Sequence, residues 1–336
     1  MTLCVAWIRQ INDTEELVFA TDSTLTGGEK WDHGVKLFEL PRKDCLLSFA
    51  GSTARAYPLI LNLVSSISFD KHLNSPAANI EEVLKHISEL FTDLILKIVK
   101  EVDSEDIHEL RGGARFIFGG WDWQRGLFRV WELFYSKEVE GFLFNEITND
   151  DTKTRFYKFV GDAKQKDFSE QTQKKFQQLL IDEDKLDSKL DMEPLKLLRE
   201  IALDPTIREV GGSLQIAKVY KSSHTEFFGI TWPSNDSPPH FQGRKYNQFT
   251  KPPVRYLNPD TFEIMEMDLP EKISLENEDI YGVHMDFVRE CYPKGSVKVN
   301  ISEQDRHKLK SILKNVAYSQ FMEQQQNQAE EEGQAS

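Results

Sequence analysis

Helical patterns come in pairs along this chain, and strand patterns bracket each pair. Paired helices cannot serve as single crossovers between parallel strands. They suit two largely antiparallel sheets stacked face to face, with a helix pair on each outer face. The order follows from hydrophobic periodicity. Residues 2–8 alternate, with Leu3, Val5 and Trp7 on one face and Thr2, Cys4, Ala6 and Ile8 on the other, the period-two mark of a strand. A polar turn leads to a second strand, Leu17 to Ala20, giving a hairpin. Val35 to Leu40 and Cys45 to Ala50 read as extended, and Gly51 ends the second of them.

Two helices come next. The first spans about Ser52 to Ile67, with Pro58 as a kink in its early turns. The second starts at Asn79, a capping side chain with Glu82 three residues on. Its apolar stripe (Ile80, Val83, Leu84, Ile87 and Phe91) repeats at helical spacing. Strands return at 114–118, 127–134, 141–147 and 155–160, rich in aromatic and β-branched residues. A second helix pair covers 168–181 and 194–203, with Pro194 suited to a first helical position. Strands at 214–220 and 225–231 follow. The expected fold is α+β, a four-layer αββα sandwich over residues 2–232, with a C-terminal extension over 233–336.

The extension differs in texture. Ser, Asn, Asp and Pro crowd 233–239, a linker or surface-hugging loop. Residues 254–300 hold short apolar pieces without a sustained period. Ile301 to Phe321 reads as one helix with Ser302 as its N-cap, and the Glu/Gln/Ala tail as disordered. No internal repeat is visible.

Charge narrows the function. A formal net charge of −14 over 336 residues argues against nucleic acid and against a polybasic membrane anchor. No apolar run is long enough to span a bilayer, and the N-terminus is not a signal peptide. Cys4, Cys45 and Cys291 have no ligand-like spacing, so neither a disulfide framework nor a zinc site is expected and a reducing cytoplasm is the expected location. No phosphate loop or dinucleotide fingerprint occurs; no cofactor or metal is expected.

Chemistry enters at Thr2. A small second residue permits removal of Met1, which would leave a threonine whose hydroxyl is a nucleophile and whose α-amine is a base. A second-position threonine alone means little. It is followed by Thr21-Asp22-Ser23-Thr24-Leu25-Thr26, by Val35-Lys36, by Ala50-Gly51 and by Gly120-Trp121-Asp122. In these motifs and their order, residues 2–232 resemble the proteasome β-subunit family, including its bacterial relatives of the HslV type.

The resemblance implies a threonine peptidase. Thr2 would attack a peptide carbonyl, with its own amine as base. Lys36 would lower the pKa of that amine and hydroxyl, and Asp22 would hold Lys36 charged and oriented. The Gly51 N–H would stabilise the oxyanion. Thr26, together with Ser52, is implied as substrate-binding, the substrate lying as an added strand. A peptide or unfolded protein is the implied substrate and a homo-oligomeric ring the implied assembly; no motif specifies an ATPase partner. The extra C-terminal residues would wrap a neighbour or regulate access.

Departures accompany the resemblance. Gly161-Asp162-Ala163 stands where eukaryotic-type members carry a serine, and Ile207 and Val210 stand at acid and serine positions. Asp204 or Glu209 are the nearby carboxylates. These departures keep two rivals open: a catalytically inactive ring or scaffold subunit, and an N-terminal amidohydrolase acting on a small amide. Duller readings also exist for His33 as a surface residue, Cys4 as a small buried one, and Trp121 and Trp123 as packing.

Overall fold

The computed structural model describes residues 2–11, 14–27, 29–75, 77–101, 106–147, 156–161, 166–247, 251–265 and 285–291, with 301–302, 304–306, 308–309 and 312 beyond them. It is a mixed α/β protein with several sheets, compatible with the α+β class. The opening hairpin pairs β1 (Cys4–Ile11) with β2 (Thr14–Thr21), Cys4 facing Thr21 and Trp7 facing Val18. Short strands β3 (Leu25–Thr26) and β4 (Lys30–Trp31) form a separate two-stranded ribbon. Then β5 (Leu37–Glu39) and β6 (Cys45–Gly51) begin a second sheet. That sheet continues with β7 (Ala114–Asp122), β8 (Leu127–Ser136) and β9 (Gly141–Glu146), every neighbour antiparallel. β10 (Tyr157–Val160) returns to β1, and β11 (Gln215–Tyr220) and β12 (His224–Thr231) extend the first sheet beyond β2.

Among the described residues, four longer helices and two short ones accompany the sheets. α1 (Thr53–Phe69) carries Pro58 inside it. α2 (Ile80–Leu96) starts as the sequence reads: Asn79 Oδ1 accepts the Glu81 N–H at 3.0 Å, and the Asn79 N–H donates back to Glu82 Oε1 at 3.2 Å. A short α3 (Ile107–Arg111), capped by Asp106, precedes β7 and has too few residues for a periodic signal. α4 (Lys166–Asp182) and α5 (Glu193–Leu203) form the second pair, and α6 (Met285–Cys291) follows the sheets.

Burial follows the alternation. Leu3, Val5 and Trp7 join one apolar cluster with Phe176, Leu195, Leu198 and Ile201 of α4 and α5. Cys4 and Ala6, pointing the other way along β1, join Leu46, Ala50, Ile117 and Val130 of the second sheet. The outer face of the second sheet packs Phe49, Phe116 and Phe118 against Leu63, Ile87 and Phe91 of α1 and α2. Thus β1 is apolar on both faces because both face packed layers.

The first sheet does not stop at β12. β13 (Pro239–Phe241) and β14 (Arg244–Lys245) add a hairpin to its end, and β15 (Tyr256–Leu257) pairs parallel to β12. The stretch read as linker and loop therefore leads straight into sheet structure. In the segment expected as a last helix, Ser302 Oγ accepts the Asp305 N–H at 3.0 Å, while 313–321 and the Glu/Gln/Ala tail lie outside the described residues. Among the described residues no helix is long and apolar enough to cross a membrane, and no cluster of three or more His, Cys, Asp or Glu side chains could hold a metal ion.

Candidate active site

Asp22 is the residue directly after β2, opposite Leu3 before β1. Its carboxylate sits where two strand ends would otherwise leave amides unpaired. Oδ1 accepts the Leu3 N–H at 3.2 Å; Oδ2 accepts the Thr24 N–H and the Gly211 N–H, each at 3.1 Å. Lys36 Nζ donates to both oxygens, at 2.9 and 3.0 Å, and also to the Thr24 carbonyl. Both side chains are 0 % exposed. Because Lys36 immediately precedes β5, this ion pair joins the edge of one sheet to the end of the other.

Taking two such charges out of water costs several kcal/mol per ion. The site offsets this with a full set of partners around the carboxylate. Burial pushes the Lys36 ammonium below the ordinary lysine range, and the Asp22 carboxylate pulls it back up. The cation lies one carboxylate oxygen away from the amide that follows Thr2. Thr2 itself is 2 % exposed in the chain that still carries Met1. A cation held in a dry setting favours the neutral form of a neighbouring amine and the ionised form of a neighbouring hydroxyl.

Gly51 ends β6, two residues beyond Phe49, whose N–H donates to the Lys36 carbonyl at 3.3 Å. Its φ is +103°, and a Cβ there would sit 2.3 Å from the Gly113 carbonyl oxygen. Glycine is required here by backbone crowding, whatever its amide does in a reaction. Ser52 follows at the N-cap of α1 with no side-chain cap bond, and its N–H donates to the same Gly113 oxygen at 2.7 Å. Thr26 lies on the exposed β3–β4 ribbon. Asp22 and Lys36 are thus in direct contact, Thr2 borders them through Leu3, and Gly51 connects through the β5–β6 pairing.

Several residues of this centre carry no signal in the motifs. Gln215 of β11 is buried; its Oε1 accepts the Lys36 N–H at 3.0 Å and its Nε2 donates to the Gly34 carbonyl at 2.6 Å. A lone amide in the otherwise apolar run from Leu214 to Val219, broken only by Lys218, is the clue that could have marked it. Gly211 supplies its N–H to Asp22 and its carbonyl to the Ser23 N–H at 3.0 Å. Thr24 Oγ1 donates to Asp32 Oδ1 at 2.5 Å. Near the start of β1, Ser169 Oγ accepts the Gly161 N–H at 2.9 Å.

The weaker candidates fall elsewhere. Asp204 folds onto its own turn, accepting the Thr206 N–H at 2.9 Å. Asp122 caps the β7–β8 turn through the Gln124 and Arg125 amides, both at 3.1 Å. Trp121 stacks edge-on with Phe128, while Trp123 is exposed. Cys4 is buried, and burial pushes its thiol up to about 12; burial likewise raises Cys45. Thiolate, not thiol, is the nucleophile. In the native protein, Cys4 and Cys45 are therefore expected to resist alkylation at pH 8 and to react once urea unfolds the chain, as a thiol titration with and without denaturant would show.

No family model matches the chain, and no curated protein does. Solved structures do. Anbu (ancestral beta-subunit) from Yersinia bercovieri is 18% identical, over 67% of this chain and 86% of that one, with a TM-score of 0.46. The Anbu complex from Pseudomonas aeruginosa, described as a helical assembly, is 19% identical over 65% of this chain and 81% of that one, with a TM-score of 0.45.

These neighbours correct the family drawn from motifs: the similar structures bear the name Anbu, and assignment to the proteasome β-subunit and HslV family does not stand. In this chain Val210 is buried in the apolar cluster with Leu195 and Leu198, and Ile207 packs against it, so neither position supplies a polar group.

Proposed function

We propose that this chain is an N-terminal-threonine hydrolase that cleaves peptide bonds once Met1 is removed. The observation that carries the reading is the fully buried Asp22–Lys36 pair bonded to the Leu3 amide. A scaffold has no need to bury an ammonium next to its leading threonine at this cost. In the proposed reaction the Thr2 hydroxyl adds to the scissile carbonyl and passes its proton to the Thr2 amine. That proton then leaves with the departing amine, giving an ester on Thr2. Water, deprotonated by the same amine, cleaves the ester and restores the hydroxyl. Lys36 tunes both groups by charge, Asp22 positions Lys36, and the Gly51 N–H receives the oxyanion. Thr26 and Ser52 flank the proposed substrate strand.

The wider reading belongs with it. The three apolar clusters support a four-layer αββα arrangement in which residues 2–232 form the catalytic unit and 233–336 an extension that starts on its sheet. Homo-oligomeric assembly and a cytoplasmic location are part of the same proposal, the latter supported by the buried thiols of Cys4 and Cys45. A catalytically silent assembly subunit is the second reading, favoured by the apolar Ile207 and Val210.

The test is intact mass of the protein from its native host, combined with a peptide epoxyketone. Loss of Met1 and one adduct on Thr2, absent in Thr2→Ala, is expected. A retained Met1, or an adduct that survives in Thr2→Ala, would overturn the reading.

A further inference from the structure

The β13–β14 turn reaches back onto the centre. Gly243, at its tip, has φ +79°, and a Cβ there would sit 2.8 Å from Ser23 Cβ and 3.3 Å from the Gly34 carbonyl oxygen. His33 Nδ1 lies 2.8 Å from the Gly243 carbonyl. A carbonyl only accepts, so Nδ1 carries the proton. Gln242 Nε2 donates to the Leu37 carbonyl at 3.4 Å. One turn therefore touches the residue after Asp22, two residues before Lys36 and the residue after it. The Gly34 N–H in turn donates to the Ser23 carbonyl at 2.9 Å, tying the two segments together under the turn.

We propose that the Gln242–Gly243 turn is a positioning clamp of the candidate active site, holding the Asp22–Ser23 segment against the Gly34–Lys36 segment. Registry of Lys36 on Asp22 then depends on residues beyond 232. The hairpin is anchored independently of the centre: Ile230 pairs with His240, and the Tyr246 N–H donates to the Pro239 carbonyl at 2.8 Å. The clamp is thus a rigid part pressed on a wired one. Glycine is needed at 243 for two separable reasons, the left-handed φ and the approach to Ser23.

The proposal rests on the hydrolase reading only for its reactivity arm. In full-length protein, Gly243→Ala is compared with Gly126→Ala, whose φ is +67° but whose Cβ would meet nothing within 4 Å. Gly126→Ala controls for left-handed strain alone. Hydrogen exchange of the Gly34 and Lys36 amides is expected to quicken about tenfold or more in Gly243→Ala, a loss of roughly 1.4 kcal/mol. It should stay at the wild-type rate in Gly126→Ala, and the β1–β2 amides should hold in both. His33→Ala should give the same pattern more weakly.

Epoxyketone labelling at Thr2 should slow in Gly243→Ala, with its pH midpoint moved upward, because a less fixed ammonium lowers the amine pKa less. Unchanged Gly34 and Lys36 exchange, or a rise shared equally by the β1–β2 amides, would overturn the clamp. If the wild type does not label, the hydrolase reading falls while the exchange comparison still decides the clamp.

Discussion

Asp22→Ala is expected to destabilise the protein by about 3–5 kcal/mol, measured as urea unfolding followed by tryptophan fluorescence. The cost has two sources. The Lys36 ammonium, 0 % exposed, would lose its only carboxylate partner among the described residues. The Leu3, Thr24 and Gly211 amides would lose their shared acceptor, each such loss worth about 1–3 kcal/mol where water cannot substitute. A double variant separates the two. Asp22→Ala combined with Lys36→Met removes the stranded charge and should recover part of the loss, leaving the cost of the amides. Full recovery would mean that the carboxylate serves only the cation. No recovery would mean that it serves only the backbone, and that the buried pair has no energetic coupling.

This dual duty explains what was legible in the sequence. Asp22 and Lys36 stood out because they recur as a spaced motif. Their partners did not, because Gln215 and Gly211 lie far along the chain and meet the centre only through the β2–β11 pairing. Gly211 stands outside the motifs that carry the resemblance, yet its amide is a structural donor to Asp22. The same contrast holds for the fold. The two faces of β1 and the Asn79 cap could be read directly, since each is local and periodic. β13, β14 and β15 hold three, two and two residues, too short for any alternation to register. They exist because the β12 edge offers unpaired backbone groups beyond the reach of β11.

Thr2→Ala is expected to lower peptide hydrolysis on the order of 10⁴-fold or more, the scale on which loss of a nucleophile acts. Stability should hardly change, because the substitution removes one hydroxyl and one methyl at a chain end and leaves the Leu3–Asp22 bond in place. Thr2→Ser keeps both the nucleophile and the amine, and should retain activity within about tenfold. The pair of variants discriminates between mechanisms that a single loss would confuse. If Cys4 or another side chain were the nucleophile, Thr2→Ala and Thr2→Ser would behave alike; the thiol of Cys4, pushed up to about 12 by burial, already disfavours it. Steady-state rates on a fluorogenic peptide, with the released Met1 verified by mass for each variant, decide the matter. A Thr2→Ala protein that cleaves at the wild-type rate would remove the leading residue from the chemistry and leave the Asp22–Lys36 pair as a purely structural joint between two sheets.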